Sequence, residues 1–419
     1  MQINAFKDPG TIARVAANPL GDELEALATS LLARRYNRKT VCQYLRKLEA
    51  FGWWLDRNGI RLKSLSPAII HHYLNSAADE SGLGNGVQIK SARSALSILM
   101  AKLYEDGKIA QCPALPETEL RQWLQAYETH MQNVHGLAYG TRRHKLRFAC
   151  KFLYSHSDDG RVEWASITAD SITQFILSDV SARRGTGPQN TTAAIRGLLR
   201  FLISHSVLPA YLEHAVPRTR RWSHAAIPNR LSKVDVAKIV KHNSSRTPME
   251  LRNFAIILLL LGLGLRSSEV RNLELNDVDW HSGSILLRAG KVHRERRVPL
   301  PEDVGSAIVE YLRYGRPNSD VQKIFIAHSA PFLAFKNSSA IWHITRKLLK
   351  TAKINCPSGG AHILRHTAAS LMVNHGASFK EVADVLGHRR LHTTAVYAKL
   401  DVLSLSAVAM PWPGSSTNE

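Results

Sequence analysis

The chain has 419 residues, of which 44% are hydrophobic and 21% charged, a composition typical of folded globular proteins rather than disordered ones. Its 55 Lys and Arg residues outnumber its 34 Asp and Glu residues, so the formal net charge is +21 at pH 7. This surplus favours a polyanionic partner: DNA or RNA first, and an acidic membrane surface second. The length predicts two or three domains.

Cysteine usage and hydropathy predict a cytoplasmic protein without a membrane anchor. The four cysteines lie far apart and form no C-x-x-C pair, which argues against a zinc ribbon and against a disulfide framework. The first twenty residues, MQINAFKDPGTIARVAANPL, lack the apolar core of a signal peptide. The most apolar run, FAIILLLLGLGL, is too short to span a bilayer and predicts a buried helix.

Helical periodicity dominates the first half of the chain. The segment TVCQYLRKLEAFGWWLDRNG spaces its apolar residues by three and four positions from Val41 to Leu55, and Gly59 follows as a helix stop. A second helix is predicted in LSPAIIHHYLNS, with Ser66 as its cap and Pro67 at its first position. The segment QIKSARSALSILMAKLYEDG predicts a third amphipathic helix.

The same helical plan recurs in the next part of the chain. TRRHKLRFACKFLYSHSDDG parallels the first helix, SITADSITQFILSD the second, and TTAAIRGLLRFLISHSVL the third. The spacing favours two small helical modules over one large one. Duplication of one module and a chance likeness of two amphipathic bundles both remain open.

A basic linker with two prolines, VPRTRRWSHAAIPNRLSKVDV, separates these modules from the rest. A helix restarts at Ser232, with Asp235 in a capping-box position. We therefore predict an N-terminal helical module at 1–115, a second helical domain at 116–225 and a third domain at 226–419.

The third domain is predicted to be helical around one small β element. SGSILLRAGKVHRERRVPLP indicates an apolar strand, a Gly-Lys turn and a second strand closed by Pro299. Helices are predicted after Ser339, and the tail PWPGSSTNE is predicted to be disordered. The predicted fold class is mainly α: helical N-terminal modules followed by a mixed, mostly α domain with a small hairpin.

Cutting a phosphodiester without a metal ion needs a small set of side chains. A tyrosine can be the nucleophile, but with a pKa near ~10 it needs help to lose its proton. Two arginines suit the negative transition state because their guanidinium groups are forked, permanent cations. A lysine or a histidine can protonate the departing 5′ oxygen.

The third domain carries such a set in separate motifs. GLGLRSSEV puts an arginine at the start of a helix, and RAGKVHRERRVPL puts a lysine at the hairpin tip. AHILRHT puts a histidine and an arginine on one helix face, and VLGHRRLHTTAVY supplies a histidine and a tyrosine. The candidates are Arg266, Lys291, His362, Arg365, His388 and Tyr397.

In this order and spacing, the motifs resemble the tyrosine recombinase (phage integrase) family from about Ser232 to Leu400. The resemblance implies a site-specific DNA recombinase or integrase that acts through a covalent 3′-phosphotyrosyl intermediate and a Holliday junction. The nucleophile would be Tyr397, the chemistry would be like that of type IB topoisomerases, and no metal, ATP or other cofactor would be needed. It also implies double-stranded DNA and a homotetramer on paired sites as partners, accessory recombinase or directionality proteins, and a mobile element as the source.

The resemblance assigns a role to each other candidate. Arg266 and Arg365 would clamp the scissile phosphate, and Lys291 would protonate the leaving 5′ oxygen. His362 would serve as an acid or base for the tyrosine, and His388 would stabilise the phosphate.

The resemblance extends more loosely to the helical modules. The segment from about Gln132 to Pro217 looks like the family's core-binding domain, which closes around DNA opposite the catalytic domain. Residues 1–115 have no secure counterpart. A duplicated core-binding-like module and an arm for accessory DNA are both open for them.

Neighbouring residues have plainer interpretations. Glu269 is expected to cap a helix or support the site, because a carboxylate repels phosphate, and His366 is expected to pack in the core. Arg389 and Arg390 suit a phosphate contact and a solvated surface equally. The other basic residues of the hairpin are interpreted as DNA-backbone contacts: His293, Arg294, Arg296 and Arg297.

Rival functions remain. A non-catalytic architectural DNA-binding protein would keep the fold, but the complete set of candidates disfavours it. A relaxing topoisomerase or a hairpin telomere resolvase would keep the chemistry, but the motifs are closer to those of recombinases. A metallonuclease is least favoured, because the sequence shows no clustered carboxylates or metal-spaced His and Cys residues.

Overall fold

The computed structural model describes residues 6, 8–80, 86–109, 118–182, 188–218, 229–241, 247–288, 295–356, 360–388 and 394, except the side chains of 77–80 and 86–88. The chain forms two units, one from residues 1–110 with 226–419 and the other from residues 111–225. Helices dominate and the sheets are small, so the predicted mainly α fold class is confirmed. The three-domain division stays a prediction.

The first five helices enclose a hydrophobic core of their own. They are α1 (Pro9–Ala16), α2 (Gly21–Ala33), α3 (Arg38–Arg57), α4 (Pro67–Glu80) and α5 (Gly86–Glu105). Helix α3 packs on α2 and α5, and α4 packs on α5. The three predicted helices here are confirmed, and α4 begins at Pro67 as expected. Helices α1 and α2 were not predicted.

The unit of residues 111–225 has a second hydrophobic core. Its elements are α6 (Glu119–Asn133), α7 (Tyr139–Tyr154), β1 (Ser157–Asp158), β2 (Arg161–Val162), α8 (Ala169–Ser181) and α9 (Gln189–Ser204). Helix α7 packs on α6 and α9, and α8 packs on α9. The strands β1 and β2 form an antiparallel pair after α7.

Helices α2–α5 and α6–α9 therefore share one packing plan. In each set the first helix contacts the second and the fourth, the second contacts the fourth, and the third contacts the fourth. A short helical turn precedes the third helix in both sets, Leu62–Ser64 before α4 and Trp164–Ser166 before α8. A hydroxyl oxygen then accepts a hydrogen bond from a backbone N–H at the start of that helix. Ser66 Oγ accepts from Ile69 in one set, and Thr168 Oγ1 accepts from Ser171 in the other.

The remaining helices and strands surround a third core, except that the last helix packs on the one before it in a small separate cluster. They are α10 (Lys233–Lys241), α11 (Pro248–Gly262), α12 (Ser267–Asn272), β3 (Val278–Asp279), β4 (Ser284–Leu287), β5 (Arg296–Pro299), α13 (Glu302–Glu310), α14 (Ser339–Thr351), α15 (Ala361–Asn374) and α16 (Phe379–Leu386). Helix α10 follows the predicted Ser232–Asp235 cap, in which the Asp235 N–H donates to Ser232 Oγ.

Helix α11 is the buried helix predicted from the most apolar run. It contacts α13, α15, α12 and α14, and its residues from Ala255 to Leu261 are buried. Each fully buried leucine side chain contributes about 1.5–3 kcal/mol to folding. Among the described helices, none has both the length and the apolar character needed to cross a membrane.

Strands β3, β4 and β5 form an antiparallel sheet in that order, which confirms the predicted hairpin. The register pairs Ile285 with Val298 and Leu287 with Arg296. The two-residue strand β3 was not predicted. The hairpin turn that carries Lys291 lies outside the described residues, as does the predicted disordered tail.

Candidate active site at the carboxyl end of helix α16

Three of the six predicted site residues, Arg266, Arg365 and His388, meet at the carboxyl end of α16. A capping box of Ser378 and Glu381 begins the helix, and Gly387 ends it in the left-handed conformation with φ of 63°. A helix leaves its last carbonyl groups without helical N–H partners. At this end, the carbonyl oxygens of residues 385–387 are available to other donors.

Three arginines donate to three successive carbonyl groups. Nε of Arg296 lies 3.1 Å from the carbonyl oxygen of Val385, and Nη2 of Arg365 lies 2.8 Å from that of Leu386. Nη2 of Arg266 lies 3.1 Å from the carbonyl oxygen of Gly387. Cations are favoured here because the carboxyl end of a helix carries a partial negative charge. We call Arg266, Glu269, Arg296, Arg365 and His388 the α16 cluster.

Arg266 and Arg365 come from different helices and differ in exposure. Arg266 precedes α12, and its side chain is 20% exposed. Arg365 on α15 is only 5% exposed, and its Nη1 lies 2.6 Å from the carbonyl oxygen of Gly264. Gly264 has a φ of 61°, and a Cβ there would lie 2.5 Å from a Leu386 methyl group. Only glycine therefore lets the chain turn between α11 and Arg266 at this distance from α16.

Glu269 joins two of these arginines. Its carboxylate accepts from the backbone N–H of Arg266 at 2.9 Å and from Nη1 of Arg266 at 3.0 Å. It also accepts from both Nη atoms of Arg296, at 3.0 and 3.1 Å. Burial alone would raise the pKa of Glu269, but the hydrogen bonds from Arg296 and Arg266 and their charges hold it below its usual value. The expectation that Glu269 caps a helix is confirmed, because it accepts the backbone N–H of Arg266 at the start of α12.

His388 follows Gly387 directly and is held in its neutral form. Burial lowers its pKa to about 4, and the charges of Arg365, Arg266 and Arg296 act in the same direction. Its Nδ1 lies 2.7 Å from Oγ1 of Thr394, a fully buried residue. This bond fixes the orientation of the ring and leaves Nε2 for another partner.

His362 and His366 lie one turn apart on α15. Burial lowers the pKa of His362, with further contributions from the charges of Arg365 and Arg266. Burial also lowers the pKa of His366, with contributions from His362 and Arg365. Both imidazoles are therefore expected to be neutral at pH 7, and a neutral imidazole can accept a proton.

Among the six candidates, the structure brings Arg266, Arg365 and His388 together, and His362 lies within electrostatic reach of both arginines. Lys291 and Tyr397 lie outside the described residues. The same is true of His293, Arg294, Arg389 and Arg390.

Arg296 is the member of the α16 cluster whose position the sequence did not predict. It was grouped with the DNA-contacting residues of the hairpin, but its side chain is 14% exposed and bonded to Glu269. The signal was present in the strand alternation, because Arg296 lies two residues before the buried Val298 and therefore on the same face. The side chain of Arg297, on the other face, is 61% exposed.

The arrangement can bind an anion. Arginine has five N–H donors, and Arg266 uses two of its guanidinium nitrogens on protein oxygens within the described residues. Two guanidinium groups and a neutral imidazole that meet at a partly exposed turn suit a phosphate group. Among the described residues, no group of three His, Cys, Asp or Glu side chains could hold a metal ion.

Comparison with known proteins agrees with this chemistry. The sequence profile of the phage integrase family matches residues 229–403. The integrase/recombinase y4rA of Sinorhizobium fredii is 33% identical over 97% of this chain and 97% of its own length. The tyrosine recombinase XerD of Mycobacterium tuberculosis is 29% identical over 70% of this chain and 96% of its own length.

A solved structure shows the same fold. XerH site-specific recombinase, bound to a palindromic difH substrate, superimposes with a TM-score of 0.53 at 18% identity, covering 81% of this chain and 93% of XerH. Together with the near full-length match to y4rA, these similarities identify the protein as an enzyme of the phage integrase family, the tyrosine recombinases.

Proposed function

We propose that this recombinase cuts and rejoins double-stranded DNA through a covalent bond between Tyr397 and a 3′ phosphate. The observation that carries the proposal is the meeting of Arg266, Arg365 and His388 at the carboxyl end of α16. A scissile phosphate at this turn would gain charge-assisted hydrogen bonds that strengthen as negative charge develops on its non-bridging oxygens.

The proposed step exchanges one phosphate ester for another. The phenolic oxygen of Tyr397 attacks phosphorus, the bond from phosphorus to the 5′ oxygen breaks, and a 5′ hydroxyl leaves. His362 takes the phenolic proton, because its lowered pKa leaves the imidazole neutral at pH 7. Lys291 gives the 5′ oxygen its proton. Attack by a 5′ hydroxyl on the phosphotyrosine reverses the step and conserves the bond energy.

The same chemistry determines how many copies of the chain the proposed assembly contains. Recombination of two duplexes cuts four strands, and each cut needs one tyrosine, so four copies of this chain would act on paired sites through a Holliday junction. XerH was solved on its difH DNA, and recombinases of this fold include dimers and tetramers on DNA. A mobile-element origin, a cytoplasmic location and accessory recombinase or directionality proteins complete the proposal.

The helices α2–α5 are proposed as a second DNA-contacting module, in addition to the core-binding helices α6–α9. The shared packing plan of the two sets supports duplication rather than chance likeness. On α3, Lys39 and Arg46 are exposed two turns apart on one face. On α7, Arg143 and Arg147 are exposed one turn apart.

The salt dependence of DNA binding tests this second module. Replacing both Lys39 and Arg46 with alanine should reduce the slope of log affinity against log salt by about 2, since each lost phosphate contact removes about 0.9. In the matched control, alanine replaces Lys102 and Lys108, whose side chains pair with Asp106 and Glu23. An unchanged slope in the Lys39 and Arg46 variant would count against a DNA-binding role for this face of α3. An equal slope change in the control would mean that the slope reports lost surface charge rather than lost phosphate contacts.

Covalent trapping tests the central proposal. Purified protein is incubated with a nicked suicide DNA carrying the ends of its element, in the presence of a chelator, and separated on a denaturing gel. We expect a DNA–protein adduct that is absent from Tyr397→Phe. If bound DNA yields no adduct, the architectural interpretation replaces the catalytic one. Relaxation of plasmid without recombination of paired sites would indicate a topoisomerase.

A further inference from the structure

Arg296 differs from Arg266 in how its donors are used within the described residues. Both Nη atoms bind the two carboxylate oxygens of Glu269, at 3.0 and 3.1 Å, and Nε binds the carbonyl oxygen of Val385 at 3.1 Å. Every nitrogen of the guanidinium group thus has a partner within the protein. The side chain is 14% exposed. This geometry suits a support more than a ligand for DNA.

These contacts form a closed ring of hydrogen bonds. Arg296 binds Glu269, Glu269 binds Arg266, and Arg266 binds the carbonyl oxygen of Gly387. The ring returns to Arg296 along the backbone from Gly387 to Val385. A change at Arg296 therefore affects both the guanidinium group of Arg266 and the turn that presents His388.

The backbone at Gly387 leaves no room between the turn and Arg296. A Cβ at position 387 would lie 2.6 Å from Nη1 and 2.8 Å from Cζ of Arg296. The planar guanidinium group lies directly against the turn, where it restricts the position of the following residue, His388. A lysine could supply the charge but not the flat, forked arrangement of donors.

We propose that Arg296 is a positioning residue for strand cleavage, which holds Glu269 and the carboxyl end of α16 so that Arg266 and His388 face the scissile phosphate together. The inference rests on the proposed function of this site. In this role Arg296 orients Arg266 and His388 and contacts no reacting atom. Misplacement of about 1 Å in a catalytic group lowers rates by about 100-fold.

The test compares Arg296→Gln with Arg288→Gln. Arg288 is the matched control because it also binds carboxylates, Asp277 at 2.6 Å and Glu274 at 3.1 Å, but lies outside the α16 cluster. For each full-length variant, the melting temperature, the affinity for a nicked suicide DNA and the single-turnover rate of adduct formation at saturating DNA are measured. Arg296→Lys is measured in parallel.

We expect both glutamine variants to melt at lower temperature and to bind DNA within about threefold of wild type. Only Arg296→Gln should slow adduct formation, by about 100-fold. Arg296→Lys should cleave at about a tenth of the wild-type rate, because it keeps the charge beside Glu269 but not the forked donors. A loss of DNA affinity that accounts for the slower adduct formation would instead make Arg296 a phosphate contact and overturn the proposal.

The pH profile gives a second readout that a purely structural role would not change. Without Arg296, burial dominates at Glu269 and its pKa rises. Protonated Glu269 no longer orients Arg266, so the acid limb of the cleavage profile should move to higher pH in Arg296→Gln but not in Arg288→Gln. If the acid limb does not move, the proposed connection from Arg296 through Glu269 to Arg266 is contradicted.

The outcomes separate this inference from the proposed function. Wild-type protein that forms no adduct refutes the cleavage proposal itself. Wild-type protein that forms an adduct, with Arg296→Gln equally fast or with Arg288→Gln equally slow, refutes the positioning role alone. If Arg296→Gln does not fold, the rate of Arg296→Lys decides, and a wild-type rate there counts against the proposal.

Discussion

Two buried arginines of the same unit differ in what surrounds them. Arg365 and Arg252 are 5% and 6% exposed, and each lies near a histidine whose pKa burial lowers to about 4, His388 and His328. Around Arg365, two further arginines and Glu269 meet at the end of α16. Arg252 binds the carbonyl oxygen of Ile326 and lies over a phenylalanine ring.

The difference shows which features indicate a site. A buried arginine near a histidine of lowered pKa occurs in both regions. By itself this pair therefore indicates burial and not a functional site. Nε2 of His328 has no hydrogen-bond partner among the described residues, whereas His388 is bonded to Thr394 beside the partly exposed Arg266. The partly exposed guanidinium group beside an oriented imidazole is what fits an anionic substrate.

The largest expected difference in cleavage rate is between Arg365→Gln and Arg252→Gln. Arg365→Gln should lower the single-turnover cleavage rate at least about 1,000-fold, because it removes a charged donor to the proposed phosphate. Arg252→Gln should leave the rate at saturating DNA within about threefold. Both should be destabilised by about 1–3 kcal/mol, since each leaves a buried carbonyl group unsatisfied.

Denaturant unfolding and adduct formation check that contrast. Equal rate losses in the two variants would mean that buried arginines act on cleavage only through stability, and the distinction between the two regions would then be lost.

A smaller effect is expected from Gly387→Ala. Alanine at φ of 63° is strained by about 1–2 kcal/mol, and its Cβ would also displace the guanidinium group of Arg296. Gly376 is the matched control, because its φ is 89° and nothing lies within 4 Å of a Cβ there. Gly376→Ala should lower stability only, whereas Gly387→Ala should also slow cleavage by about 100-fold.

Thermal melts and cleavage rates of the two alanine variants distinguish backbone strain from displacement of the Arg296 guanidinium group. If they melt alike and cleave alike, the close contact at Gly387 does not matter for the orientation of Arg296.

Thr394→Val should produce a loss of about tenfold in cleavage. Valine keeps the buried shape but removes the hydroxyl group that lies 2.7 Å from Nδ1 of His388, so the ring loses its fixed orientation. Thr394→Ser retains the hydroxyl group and should retain most of the rate. Adduct formation measured at saturating DNA checks both, and a serine variant as slow as the valine variant would point to packing instead.

The sequence predicts the local elements of this fold better than their contacts. Periodicity and capping residues locate α3, α4 and α11, and the hairpin motif locates β4 and β5. The short α1 and the two-residue β3 are not predicted, because neither is long enough to show a period. The 13-residue α2 is long enough and was also missed. For the site, the motifs nominate Arg266, Arg365, His362 and His388 in advance.

The sequence does not predict the ring of hydrogen bonds that includes Glu269. Arg296 and Glu269 lie 27 positions apart and meet through tertiary packing. Their contact depends on how β5 and α12 approach the end of α16, and no local pattern encodes that approach. Strand alternation could show that Arg296 points inward, but not which carboxylate it meets.

The smallest expected effect concerns acid stability, where the two regions should behave alike. The pKa values of His388 and His328 are about 4 in the folded protein and about 6.5 in the unfolded chain. Between these values the unfolded chain binds protons that the folded protein does not, so the free energy of unfolding should fall as the pH decreases from 6.5 to 4. Above pH 6.5 their contribution to this dependence is absent.

Asparagine in place of either histidine should flatten this pH dependence by a similar amount, because burial is the main cause of both shifts. Only His388→Asn should also slow cleavage, since only His388 lies in the α16 cluster. Denaturant unfolding at pH 4.5 and pH 7.5, paired with adduct formation at pH 7.5, makes both measurements. If His328→Asn slowed cleavage as much, the proposed site would have to extend to the region of Arg252, and the contrast between the two buried arginines would no longer hold.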